Sequence, residues 1–283
     1  MGDVMVDVHV AAGALARGGD VHGHVRIAPG GTSANAAVWA AWTGADTAVI
    51  GAVGADVGGA VMAGELERRG VDVRGLVRKT GRTGAMLIVT DEGERSMVAD
   101  RGASAALVEG DLPSTIEAGA VLVSGYLLLQ AATQDVGVAA LSRARAPIVA
   151  VEAASWPFVE ALGRDRFAEL AADVSAVFAN EREAEALTGA TGIRACRMLG
   201  ERFALAAVKG GADGAALCVD GTLVEREADA VTELDPTGAG DAFDGVLLAR
   251  LARGDEPAEA LAAACHAGGL VAASELTWPE EGE

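Results

Sequence analysis

Between Glu233 and Phe243 the chain reads Glu-Leu-Asp-Pro-Thr-Gly-Ala-Gly-Asp-Ala-Phe, a dense run of residues able to do chemistry. Pro236 and Thr237 sit where an extended segment must stop, and Gly238 and Gly240 permit a tight turn that larger residues resist. The apolar run 242–253 follows, which places Asp241 at a helix N-terminus. Turn N–H groups and the positive end of a helix dipole together make a site for an anion. A carboxylate beside an anion needs a task, and one fits: taking the proton of a hydroxyl that attacks phosphorus. A simple helix cap over a Gly-rich loop would use the same residues.

Two other stretches invite the same reading. Gly30-Gly-Thr-Ser-Ala-Asn35 is a turn leading into an Ala-rich helix, and Asn180-Glu-Arg-Glu183 follows an apolar strand. Lys209-Gly-Gly, with Gly214 beyond it, ends another. The chain contains no Gly-x-x-x-x-Gly-Lys-[Ser/Thr] loop, no Gly-x-Gly-x-x-Gly fingerprint, no His-Glu-x-x-His and no Gly-x-Ser-x-Gly. Phosphate binding would therefore rest on a different turn, and a nicotinamide-linked enzyme loses its main signature.

The elements that must position these groups follow from periodicity. Strands are predicted at 2–8, 47–53, 71–77, 120–124, 148–152, 174–179 and 203–209, and a hairpin at 214–226. Helices are predicted over 32–44, 57–69, 134–145, 164–172, 181–187, 193–199, 242–253 and 257–273. This alternation implies a largely parallel sheet covered on both faces, with ligands at the carboxyl ends of the strands. Segments 84–91 and 95–100, joined by the turn Glu92-Gly93, have no helix between them and predict a hairpin apart from the main sheet.

Composition narrows the function further. With 283 residues and 51% hydrophobic content the chain can bury a large α/β core. A formal charge of -19 argues against nucleic acid and anionic membrane as partners. No apolar run reaches the roughly 20 residues of a membrane span, and no signal-peptide pattern opens the chain, so a cytoplasmic location is expected. Cys196, Cys218 and Cys265 are widely spaced and odd in number, as free thiols would be.

Taken together, Gly30–Asn35, Asn180–Glu185 and Asp235–Phe243 resemble the ribokinase-like, PfkB-type family of carbohydrate kinases. The resemblance extends over nearly the whole chain in element order. It implies one domain over 1–283, a ribokinase-like three-layer α/β/α sandwich with a mostly parallel central sheet, and a small β lid from about 9–30 and 82–101. It implies ATP and Mg²⁺ as cofactors, with Asp241 as general base and Gly238, Ala239 and Gly240 as the anion hole. Asn180, Lys209, Gly211, Gly214, Thr237 and His266 would face the nucleotide, His266 as a packed residue beside the adenine. Glu183 would act on Mg²⁺ through water, and Asp235 corresponds to a position that in some members helps hold a potassium-like ion.

On the sugar side the resemblance implies Asp7, Gly31, Thr32 and Asn35, with Arg101 near the sugar. Asn35 could instead cap a helix. Asp3 reads as a surface strand residue, and Trp39 and Trp42 as core. His9, His22 and His24 lack metal spacing and read as exposed lid positions or sugar contacts. Asp244 stands where the family usually has Asn, a departure read as neutral, and Trp278-Pro279 reads as packing near the nucleotide. Only Met1 precedes Gly2, where the family completes a central strand. The substrate implied is a small sugar, pentose or hexose. The alternatives are a nucleoside kinase, a kinase of acid sugars such as 2-keto-3-deoxygluconate, and a catalytically silent sugar-binding regulator. Lid edges that could pair between subunits point to a homodimer.

Overall fold

The computed structural model describes residues 1–12, 18–91 and 94–279. The expected turn Glu92-Gly93, and 13–17 of the expected lid, lie outside the described residues. The elements run β1 (Met5–Ala12), β2 (Gly23–Gly30), α1 (Thr32–Trp42), β3 (Thr47–Gly54), α2 (Val57–Arg68), β4 (Val71–Lys79), β5 (Gly84–Asp91) and β6 (Glu94–Asp100). Next come β7 (Ile116–Glu117), β8 (Ala120–Ser124), α3 (Gly125–Leu129), α4 (Gln134–Arg143), β9 (Ala144–Arg145) and β10 (Ile148–Glu152). The remainder is α5 (Trp156–Leu162), α6 (Arg164–Leu170), β11 (Ala176–Asn180), α7 (Glu181–Thr188), α8 (Gly192–Gly200), β12 (Leu205–Lys209), β13 (Ala215–Val219), β14 (Thr222–Arg226), α9 (Ala239–Ala252) and α10 (Pro257–Ala272).

Strands β8, β10, β11 and β12 are parallel neighbours, and β13 and β14 continue the sheet antiparallel in the order β14-β13-β12-β11-β10-β8. These four parallel strands are short apolar runs because both faces are covered. Val177 and Ala179 join a cluster with Val136, Ala140, Ala195 and Leu199 on one face. Ala176 and Phe178 pack with Val246, Leu247, Leu261 and Ala264 on the other. The result is a three-layer α/β/α arrangement, as expected.

The first strand departs from the expectation. The regular strand is Met5–Ala12 and belongs to a separate sheet, order β2-β1-β5-β6. Met1 and Gly2 bridge the core instead: Ser124 N–H donates to the Met1 carbonyl at 2.9 Å, and Gly2 N–H to the Ile50 carbonyl at 3.1 Å. The chain thus leaves the core with Val4 fully buried and enters the small sheet with Asp7. Alternation then sorts that sheet's residues. Ile27, Val8, Leu87 and Val98 form one cross-strand row, and Ala28, Asp7, Met86 and Ala99 another, on the opposite face. The first row is mostly exposed, Ile27 at 71% and Val98 at 64%, whereas Asp7 and Ala28 are buried.

Candidate active site

The parallel strands end in polar residues: Ser124, Glu152, Asn180 and Lys209 close β8, β10, β11 and β12. Register sets Ser124 beside Glu152 and Asn180 beside Lys209. A strand whose body is apolar delivers its last side chain to the rim of the sheet, and α9 begins over that rim.

Helix α9 starts after Gly238, which adopts a left-handed conformation at φ 84°. A Cβ there would lie 2.2 Å from the Thr277 methyl, so glycine is required by both conformation and space. Thr237 N–H closes the preceding loop by donating to Asp235 Oδ1 at 3.0 Å. Ala239 N–H donates to the Pro236 carbonyl at 3.1 Å. Gly240 and Asp241, in the first turn of α9, are the amides that a helix cannot pair internally. Lys209 reaches the same turn, since a Cβ on Gly240 would sit 3.4 Å from its Nζ.

Asp241 is held by helix α1. Asn35 Nδ2 donates to Asp241 Oδ2 at 2.8 Å, and Asn35 Oδ1 accepts from Trp278 Nε1 at 2.8 Å. The indole only donates, so it fixes the amide's orientation and turns the Asn35 NH₂ toward the carboxylate. Asn35 is therefore no cap; the N-cap of α1 is Gly31, with no side-chain cap bond. Gly31 has φ 95°, and a Cβ on it would be 2.6 Å from the Asp3 carbonyl. Trp278 packs beside Ala34, Val38 and Val4. Trp39 is buried as expected and donates to the Thr277 carbonyl, while Trp42 is partly exposed.

Burial pushes the Asp241 carboxyl up to about 7; Asn35 and Lys209 oppose the rise, and Asp244 and Asp7 add to it. Such a group is poised to exchange a proton near neutrality. Asp244, one turn on, is 1% exposed, and its Oδ2 accepts from Lys209 Nζ at 2.7 Å. Burial raises Asp244 to about 6 and Lys209 pulls it back. For Lys209, burial works downward, but Asp244, Glu183 and Glu152 outweigh it and the pKa ends above its ordinary value. Asp244 is thus half of a buried ion pair, not a neutral departure. Glu152, also missed from sequence, is buried and raised well above the carboxylate range, first by burial and then by Glu183. Thr32 Oγ1 donates to Ser124 Oγ, which donates to Glu152 Oε2. A small cavity joins Thr32, Ser124, Glu152, Asp241 and Asp244.

Asn180 and Glu183 form a reciprocal capping box at the start of α7. Glu183 Oε2 accepts from Asn180 N–H and Oε1 from its Nδ2, at 2.8 and 2.7 Å. Both carboxylate oxygens are engaged, which suits contact with a hydrated cation better than direct ligation. Gly211 and Gly214 form the tight connection from β12 to β13, and a Cβ on Gly214 would lie 2.0 Å from the Arg226 carbonyl. An open pocket of about 460 Å³ borders this turn, lined by Glu181, Ile193, Gly210 and Gly214 among others. His266 is not packed: its side chain is 57% exposed and meets Asp229 at 2.8 Å. A larger cleft, about 510 Å³ and lined by Trp156, Arg164 and Arg182, lacks these residues.

On the other side, the Asp7 carboxyl lies against Gly30, where a Cβ would be 2.2 Å from Oδ2. Burial raises Asp7 to about 6, Arg26 counteracts this, and Asp235 adds to it. His9 Nδ1 is 3.5 Å from Asp235 Oδ2, so the small sheet faces the loop that leads to Asp241, and His9 is not an exposed position. Arg101 is committed elsewhere. Its Nε and Nη2 bind both Asp3 oxygens at 2.8 and 2.7 Å, and Nη1 reaches Thr133 Oγ1 at 3.4 Å. Asp3, expected at the surface, is 3% exposed.

The fold is an α/β sandwich with a polar rim at its strand ends, and the comparisons place the chain in a family. The family described as "pfkB family carbohydrate kinase" matches residues 1–279, and the chain belongs to it. It is a carbohydrate kinase that uses ATP and an alcohol group as acceptor. Over 255 residues it is 30% identical to the ATP-dependent ribose-1-phosphate kinase of Halopiger xanaduensis, covering 88% of this chain and 82% of that one. The fold is shared with adenosine kinase from Sinorhizobium meliloti at TM-score 0.84 and 24% identity, covering 98% and 94% of the two chains. Ribokinase from Thermotoga maritima aligns at TM-score 0.78 and 20% identity, covering 98% and 94%.

Proposed function

We propose that the enzyme transfers the γ-phosphate of ATP to a hydroxyl of a small, ribose-like sugar, with Asp241 as the general base. The observation that carries this is the Asn35–Asp241–α9 arrangement: a buried carboxyl raised to about 7, oriented by an amide, beside a helix N-terminus that Lys209 approaches. In the step, the hydroxyl oxygen attacks the γ-phosphorus as its proton passes to Asp241. The bond to the β–γ bridging oxygen breaks and ADP leaves. The amides of Gly238, Gly240 and Asp241, with Lys209, would stabilise the charge on the transferring group.

Mg²⁺ would neutralise phosphate charge, held by the nucleotide and by waters that Glu183 orients. Among the described residues no group of three or more His, Cys, Asp or Glu forms a cage for a metal. Asp235, its carboxylate turned to Thr237 and His9, gives no observation that calls for a monovalent cation. The Halopiger relative acts on an already phosphorylated pentose, so plain and phosphorylated sugars both fall within the class. The small sheet forms the lid over the acceptor. Its exposed apolar row of Ile27, Leu87 and Val98 supports a homodimer formed face to face.

ADP release measured across a panel of sugars, sugar phosphates and nucleosides tests the base. Asp241→Asn is expected to lower kcat about 10³-fold with KM nearly unchanged. Retention of wild-type kcat by that variant would remove Asp241 from the reaction.

A further inference from the structure

Arg26 is on the face of β2 that holds Ala28 beside Asp7, and it pairs directly across with His9. His24 follows on the same face. A strip of basic side chains thus borders the acceptor side of a chain whose net charge is -19. The Arg26 guanidinium is close enough to Asp7 to counteract the rise in that carboxyl's pKa, yet it makes no ion pair with Asp7 among the described residues. Its Nη1 is buried with no hydrogen-bond partner among the described residues. A buried guanidinium donor without an acceptor is costly, and the planar fork pairs best with two oxygens of a carboxylate or a phosphate. Arg101, the other arginine on this side, has its donors on Asp3 and Thr133.

We infer that the acceptor sugar already carries a phosphate ester and that Arg26 receives it, while Asp7 takes the sugar's hydroxyls. This rests on the reading that the small sheet and the Asp235–Asp241 loop hold the acceptor between them. A carboxylate such as Asp7 accepts hydroxyl donors but repels a phosphate, so the two groups would divide the ligand between them. Without Arg26, the phosphate would face Asp7 and Asp235 with no fixed counter-charge from β2. The enzyme would then tell a sugar phosphate from the free sugar by a buried charge rather than by shape.

The test compares D-ribose 1-phosphate with D-ribose as acceptors for the full-length wild type and for Arg26→Ala, with ATP and Mg²⁺. Wild type is expected to favour the ester, and Arg26→Ala to lose about 30-fold or more in kcat/KM for it, mainly through KM, with a loss for ribose about tenfold smaller, from the altered Asp7 alone. Arg26→Lys should recover part of the loss by restoring charge without the planar fork. Calorimetric binding of the ester to Asp241→Asn, and its loss in Asp241→Asn/Arg26→Ala, separates the two readings. If the wild type turns over no acceptor but binding still depends on Arg26, the kinase assignment falls and the phosphate site stands. Equal losses for ester and free sugar, or a wild type that prefers ribose, overturn the proposal and leave Arg26 as a counter-charge to Asp7.

Discussion

The two sides of the site are built differently. On the core side each reactive group is tied to a partner from another element: Asp241 to Asn35, Lys209 to Asp244, Glu183 to Asn180. These come from strand ends and helices whose bodies are packed in the sandwich, so their positions are fixed before any ligand arrives. On the small-sheet side Asp7 and Arg26 sit near each other without an ion pair among the described residues, and the sheet's outer row is open to solvent. Phosphoryl transfer gains from fixed dipoles and charges, whereas acceptor choice gains from groups left to be satisfied by the ligand. Under the proposed reading, catalysis belongs to the rigid half and selectivity to the small-sheet half.

The sharpest way to break this contrast is at Lys209. Lys209→Met leaves Asp244 buried and unpaired, and a loss of about 3–5 kcal/mol is expected from urea unfolding. Lys209→Met/Asp244→Leu should regain most of that stability but not the activity, because the ammonium near Gly240 is still absent. A stability loss under about 1 kcal/mol would mean that the core side is not held by this pair.

A smaller effect is expected at Asn35. Its hydrogen bond holds the Asp241 pKa down, so in Asn35→Ala the acidic limb of the kcat–pH profile should move upward from about 7. Activity would fall most at pH 6 and recover in part at pH 8.5. An unmoved limb would show that Asn35 orients substrate rather than the base. Stability has the opposite sign. Asp241 rises from an ordinary 3.8 to about 7 on folding, so its stabilising contribution is full below 3.8 and is lost as pH climbs through about 7. Asp241→Asn should accordingly raise Tm more at pH 8 than at pH 5, by scanning calorimetry.

The least effect on the fold is expected on the small sheet. Ile27→Glu, at an exposed position, should change unfolding free energy by less than about 0.5 kcal/mol. If the proposed dimer forms through this face, the variant should be monomeric in light scattering where the wild type is dimeric, and an unchanged mass would remove that face as the subunit contact.

Much of the core side was legible in the sequence because its rules are local. Four apolar runs each closed by one polar residue announce parallel strands and a polar rim, and Pro-Thr-Gly-Ala-Gly-Asp announces a turn into a helix. By the same rule Glu152 could have been found, since it ends Ile148–Glu152 as Lys209 ends Leu205–Lys209. The pairings were not legible. Asp3 meets Arg101 across 98 residues, and Asn35 meets Trp278 across 243, and no local pattern encodes such distances. His266 failed for a related reason: helical spacing fixes a face only relative to neighbours that the sequence does not name.

Gly245 lies one turn beyond Asp241, inside a helix where glycine is normally a liability. A Cβ there would be 2.2 Å from the Ala36 carbonyl, on the helix that carries Asn35. The missing methyl is what lets α1 and α9 close to the distance at which amide and carboxylate meet. The alignment of Asp241, the proposed proton acceptor, is thus gauged by a contact between two helix backbones, and the volume of one buried atom would set the enzyme's rate.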